Sequence, residues 1–146
     1  GPAGPAGPAG QNGTSIIGGG TGFASGKLSV TQVNFVPLFN SNVQNDVSEA
    51  NVIQIMPSAG TLSHFYVRLN ENPSSKGTGS YTFTVRKNGV DTAVTCLIGT
   101  GGVDPLGLTG KDIVNSVSYV EGDTISIKVT PTDNPTPVAM SWTARY

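Results

Sequence analysis

The sequence predicts an all-β fold, an antiparallel jelly-roll sandwich behind a short stem, assembled as a homotrimer. Three observations carry this. Glycine falls at every third position at the start of the chain, apolar and polar residues alternate in short runs beyond Lys27, and turn residues separate those runs.

The first fifteen residues, Gly1-Pro2-Ala3-Gly4-Pro5-Ala6-Gly7-Pro8-Ala9-Gly10-Gln11-Asn12-Gly13-Thr14-Ser15, place glycine at Gly1, Gly4, Gly7, Gly10 and Gly13, and the register ends at Ile16. Strict period three with proline in the second slot is the signature of the collagen triple helix. Three polyproline-II chains wind about one axis, and only a hydrogen fits where every third residue points inward. Proline pre-sets φ and lowers the entropy lost on ordering. Such a helix needs three chains, so residues 1–15 predict a trimer with its heads at one end. So short a stem is marginal alone, which points to a longer collagen region or to a head that trimerises first. Residues 16–26, with Gly18-Gly19-Gly20-Thr21-Gly22, have few side chains to pack and are expected to act as a swivel between stem and head. They lack the lysine-serine pair of a phosphate loop.

The head is expected over residues 27–146. Val52–Met56 predicts a strand that stops at Pro57, and Leu62–Leu69 follows the turn residues Ser58-Ala59-Gly60. In Tyr81–Lys87, Tyr81, Phe83 and Val85 share one face while Thr82, Thr84 and Arg86 share the other. This is the pattern of a half-buried antiparallel strand. Asn88-Gly89 tolerates positive φ at both central positions of a two-residue turn, predicting a hairpin into Val90–Val94. A second hairpin is expected from Val117–Val120 through Glu121-Gly122-Asp123 into Ile125–Val129. Pro131, Pro135 and Pro137 mark a loop, and Val138–Tyr146 alternates again with Met140, Trp142, Ala144 and Tyr146 on one side. Short strands with regular turns and no helical period argue for a sandwich.

Charged residues make up 12% of the chain and the net charge is −1. The eight basic residues are scattered, with Arg86-Lys87 the one basic pair, so neither nucleic acid nor an anionic membrane is an expected partner. No apolar run approaches the roughly 18 residues of a membrane span. A chain that begins at Gly1 rather than Met is expected to be a fragment or a processed product. Cys96, the single cysteine, rules out an intrachain disulfide and is expected to be a buried structural thiol.

Chemistry is sparse. His64 is the one histidine, with no triad spacing around it, and alternates with Tyr66 and Arg68 as a surface or subunit-contact residue would. Asp104, Asp112, Glu121, Asp123 and Asp133 fall in expected loops or strand ends. Calcium favours such oxygen ligands, but no calcium-loop spacing is present, so these are read as turn formers. No catalytic residue, metal ligand or cofactor is expected, and the chain is not expected to be an enzyme. Tyr66, Tyr119, Trp142 and Tyr146 are the aromatics available to a subunit interface or to stacking on a glycan, although their phases favour core or interface.

Collagen triplets leading into a β head resemble the tumour-necrosis-factor-like and complement-type heads, in which a jelly roll trimerises at the end of a collagen stalk. The stretches Met56–Leu62, Tyr81–Val90 and Gly122–Val129 look like the heads of two bacterial and phage groups. These are the collagen-like filaments of spore surfaces and the collagen-containing tail fibres of phages. The Gly-Pro-Ala triplets differ from the threonine-rich triplets of glycosylated spore filaments. The resemblance implies a structural trimerising head on a spore or cell surface, or on a virion. The alternative is a tip that recognises a surface glycan or protein receptor.

Overall fold

The computed structural model describes residues 1–8, 14–22, 26–39 and 45–146. Alternation becomes strand through most of the head. The strands are β1 Ile16–Gly20, β2 Asn34–Val36, β3 Gln54–Ile55, β4 Gly60–Leu69, β5 Ser80–Lys87, β6 Val90–Gly99, β7 Thr109–Asp112, β8 Val117–Tyr119, β9 Thr124–Thr132 and β10 Met140–Arg145. A single turn of 3-10 helix, Glu49–Asn51, precedes β3.

Two antiparallel sheets result. One runs β1-β10-β4-β7 with β8 also on β4, and the other runs β2-β9-β5-β6 with β3 also on β9. Five pairings nest one inside the next: β1 with β10, β2 with β9, β3 with β9, β4 with β7 and β8, and β5 with β6. The β4–β10 and β5–β9 pairings then close the two sheets. The chain is thus laid out like one long hairpin that has been rolled up. Among the described residues only β5 and β6 pair as consecutive strands, through Asn88 (φ 51°) and Gly89 (φ 75°), the left-handed geometry of a two-residue turn.

Between the sheets lies one core. Tyr81, Phe83 and Val85 of β5, Ile125, Ile127 and Val129 of β9, Phe65, Val67 and Leu69 of β4, and Met140, Trp142 and Ala144 of β10 are buried together. Each large apolar side chain buried this way contributes about 1.5–3 kcal/mol. Leu62 is buried too, although it is out of phase with Phe65 on a regular strand. A bulge reconciles them. Thr143 pairs with Tyr66 but Arg145 pairs with Ser63, so β4 carries one extra residue, and His64 takes a φ of 50°.

Four expectations need correction. Residues 16–20, expected to swivel, form β1, which pairs residue for residue with β10 from Ile16↔Arg145 to Gly20↔Ser141. Backbone pairing needs no side chains, and a Cβ on Gly19 would overlap the Leu38 and Pro37 carbonyls, so the bare residue permits the close approach. The second expected hairpin does not form. Val117–Tyr119 pairs with β4, and the turn at Glu121–Asp123 carries the chain to β9 in the opposite sheet. Pro131 lies within β9 rather than in a loop. The β2–β9 pairing ends at Asn34↔Val129, so Pro131 pairs with Tyr81 of β5 alone, where one side of the strand is an edge and proline is tolerated. The strand expected over Val52–Met56 shrinks to two residues, since the 3-10 turn ends at Asn51 and Val52 and Met56 are buried.

In the stem, the described residues 1–8 are exposed, and a Cβ at Gly1, Gly4 or Gly7 would meet nothing within 4 Å in this one chain. Gly10 and Gly13 lie outside the described residues.

Candidate functional site

The four aromatics singled out from sequence separate into different environments. Trp142 is 2% exposed; it packs on Phe65 at 5.8 Å between ring centroids and donates Nε1–H to the Pro37 carbonyl at 3.3 Å. Tyr119 is 1% exposed and donates its hydroxyl to the Arg86 carbonyl at 3.0 Å. Both are core residues of this chain, so neither offers a face for a glycan or a partner subunit. Tyr146 is half-buried, lies over Gly60 and Tyr119, and donates its hydroxyl to the Ser58 carbonyl. Tyr66 alone stands outward, at 45% exposure.

Tyr66 sits on the open face of the first sheet, where pairing register sets two parallel rows. One reads Gly18–Thr143–Tyr66–Lys111 across β1, β10, β4 and β7. The next reads Gly20–Ser141–Arg68–Thr109. Side chains therefore rise from none on β1, through small hydroxyls on β10, to a ridge of Tyr66 and Arg68 on β4. On the low side is an open depression of about 440 Å³ whose lining includes Gly18, Gly20, Phe39, Arg68, Asn70 and Ser141. Beyond the ridge, Tyr66, Val103 and Lys111 line a second depression. No reading of single strands could find these rows, because three of the four strands come from distant parts of the chain.

The opposite sheet handles its charges differently. Arg86 holds Glu49 at 2.9 Å and also pairs with Asp91, while Lys128 reaches Asp91 at 3.0 Å. Ser126 donates to Glu49 at 2.8 Å, and the Arg86 guanidinium lies 5.5 Å from the Phe35 ring centroid. The Arg86 hydrogen bonds hold the Glu49 and Asp91 carboxyls below their usual range. A fourth pair, Lys87–Asp123 at 3.5 Å, sits near the Asn88 turn. None of these four ion pairs among the described residues includes Arg68, Lys111 or Arg145. The cations on the open face of the first sheet thus stand outside the ion pairs found among the described residues.

The carboxylates weighed as calcium ligands serve loops. Asp104 accepts from the Leu106, Leu108 and Thr109 amides and from the Thr109 hydroxyl at 2.8–3.1 Å. Asp112 accepts from the Thr95, Val114 and Asn115 amides and the Asn115 side chain at 2.9–3.1 Å. Burial raises its pKa, but these bonds outweigh burial and hold it below the usual value. Asp123 accepts from Asn88 and the Val120 amide, each at 2.8 Å, and Glu121 and Asp133 stand exposed. Among the described residues no cluster of three or more His, Cys, Asp or Glu could hold a metal ion. His64 contacts the Ser63 hydroxyl at 3.3 Å, at the bulge. Cys96 is buried at 8% exposure, and burial with the nearby Asp112 charge pushes its thiol up to about 12.

The chain matches no model of a known protein family, and no curated protein resembles it in sequence.

Proposed function

We propose that this chain is the trimerising jelly-roll head of a collagen-like filament, displayed on a bacterial spore or cell surface or on a virion, with a structural rather than catalytic role. The observation that carries the reading is the junction of stem and head. The glycine-every-third-residue run ends at Ser15, and Ser15 exchanges both backbone hydrogen bonds with Tyr146 at 2.9 Å. A triplet run that leads into a strand paired with β10 would pass the register of three chains on to three heads. The nested strand pairs support the jelly-roll assignment, since that fold is a long hairpin wound into two sheets.

Light scattering on the full chain, and on a chain beginning at Ser15 so that β1 is kept, tests the reading. Trimers in both are expected, while monomers in both overturn it. A head begun at Lys27 is a poor substitute, because it lacks β1.

A further inference from the structure

We infer, independently of the trimeric reading, that Asn88 is a modification site: a centre of spontaneous deamidation that a latch to Asp123 and Thr124 keeps closed while the head is folded, and whose reaction releases that latch.

The chemistry starts from a dipeptide. Asn88 is followed by Gly89, and both are exposed to water in the turn that joins β5 to β6. The attacking group is the backbone nitrogen of the residue after asparagine, and glycine has no Cβ to shield it. The Gly89 nitrogen bonds to Asn88 Cγ, the Cγ–Nδ2 bond breaks, and Nδ2 leaves as ammonia with the proton that Gly89 gives up. Water then opens the cyclic imide at either carbonyl. The product is aspartate or, with the chain rerouted through Cβ and Cγ, isoaspartate.

The fold opposes the first step. The carboxamide must swing onto the Gly89 nitrogen, yet both of its ends are tied to the segment that follows the Glu121-Gly122 turn. Its Nδ2 donates to Asp123 Oδ1 at 2.8 Å, and its Oδ1 accepts from the Thr124 amide at 2.8 Å. The Asn88 amide also donates to the Thr124 carbonyl at 3.0 Å, and Arg86 donates to the Gly89 carbonyl. Asp123 is itself fixed by the Val120 amide at 2.8 Å and by Lys87 at 3.5 Å. Reaction therefore waits on local opening of this latch. The product cannot close it again. Deamidation replaces the donor that Asp123 accepts from with a second carboxylate, and like charges at that distance repel. Isoaspartate also adds a backbone atom to a two-residue turn in which Asn88 and Gly89 both hold positive φ.

The test incubates the full chain in mildly alkaline buffer, folded and in guanidinium, and follows the Asn88 peptide by mass spectrometry. Cys96 labelling is read alongside, because global unfolding exposes that buried thiol and opening of the latch does not. The folded wild type should deamidate at Asn88 at least about tenfold more slowly than the denatured chain, and Asp123→Ala should raise the folded rate at least about fivefold with Cys96 still inert. Equal rates for folded and denatured wild type overturn the latch. So does an unchanged rate in Asp123→Ala, or a rise that comes only with Cys96 exposed. The absence of reaction even in the denatured chain removes the site altogether. The purified deamidated chain should melt below the unmodified one, and an equal Tm overturns the claim that reaction releases the latch.

Discussion

Ser15 and Tyr146 face each other across the edge of the first sheet, each amide donating to the other's carbonyl at 2.9 Å. This pair extends the β1–β10 ladder by one step and places the end of the triplet run against the residue that follows β10. The Tyr146 ring lies over Gly60 and its hydroxyl reaches Ser58, so the same residue also ties β10 to the start of β4.

Gly19 shows how closely β1 is seated. A methyl group there would overlap the backbone carbonyls of Leu38 and Pro37, neither of which can rotate away. Gly19→Ala should destabilise the head by about 2 kcal/mol, as other overpacking changes do. Urea unfolding of the two proteins checks this, with a lower midpoint and an unchanged slope expected.

Trp142 and Tyr66 should respond oppositely to truncation. Trp142→Ala empties a fully enclosed site between the sheets and frees the Pro37 carbonyl, so a loss of about 3–5 kcal/mol is expected. Tyr66→Ala removes an outward ring and should change the intrinsic stability of one folded chain by less than about 0.5 kcal/mol. Denaturant unfolding at concentrations low enough to keep the chains apart separates these from any effect on assembly.

Acid should weaken the fold through identifiable carboxylates. Glu49, Asp91 and Asp112 have folded-state pKa values below their ordinary values of 4.5, 3.8 and 3.8. A depressed folded pKa contributes stability that is complete above the unfolded value and is lost as pH falls through the folded one. The melting temperature should therefore hold steady above about pH 5 and decline below about pH 4.5. Asp112→Asn should flatten part of that decline, measured as Tm against pH.

Cys96 should be unreactive while the head is folded. Its thiol is enclosed between β5 and β7, and a pKa of about 12 leaves almost no thiolate at neutral pH. A thiol reagent such as a disulfide chromogen should label the native protein at least about 100-fold more slowly than the denatured one. Labelling at comparable rates would place the thiol at the surface.

Strands that present alternating apolar residues were legible before any coordinates. Tyr81–Lys87, Ile125–Val129 and Met140–Trp142 fall in strands with the expected inward faces, and Asn88-Gly89 turns where that dipeptide should. Strands without that signal were not. β1 reads Ile-Ile-Gly-Gly-Gly and β7 reads Thr-Gly-Lys-Asp, so neither carries a period, and each exists because a neighbour supplies its hydrogen bonds. Tyr119 and Trp142 looked equally suited to core and interface, since alternation names a face without saying what covers it.

By itself, then, the sequence determined the all-β class, the main hairpin and most of the core, because these follow from side-chain period and local turn chemistry. Only the tertiary structure decided which strands are neighbours. It sent the turn after Tyr119 across to the other sheet, turned a glycine run into an edge strand, and aligned Gly18, Thr143, Tyr66 and Lys111 in one row. The physical reason is that strand pairing joins backbone groups, which every residue but proline carries alike. The choice of partner therefore rests on how the whole core packs, and the open face inherits its arrangement from that choice.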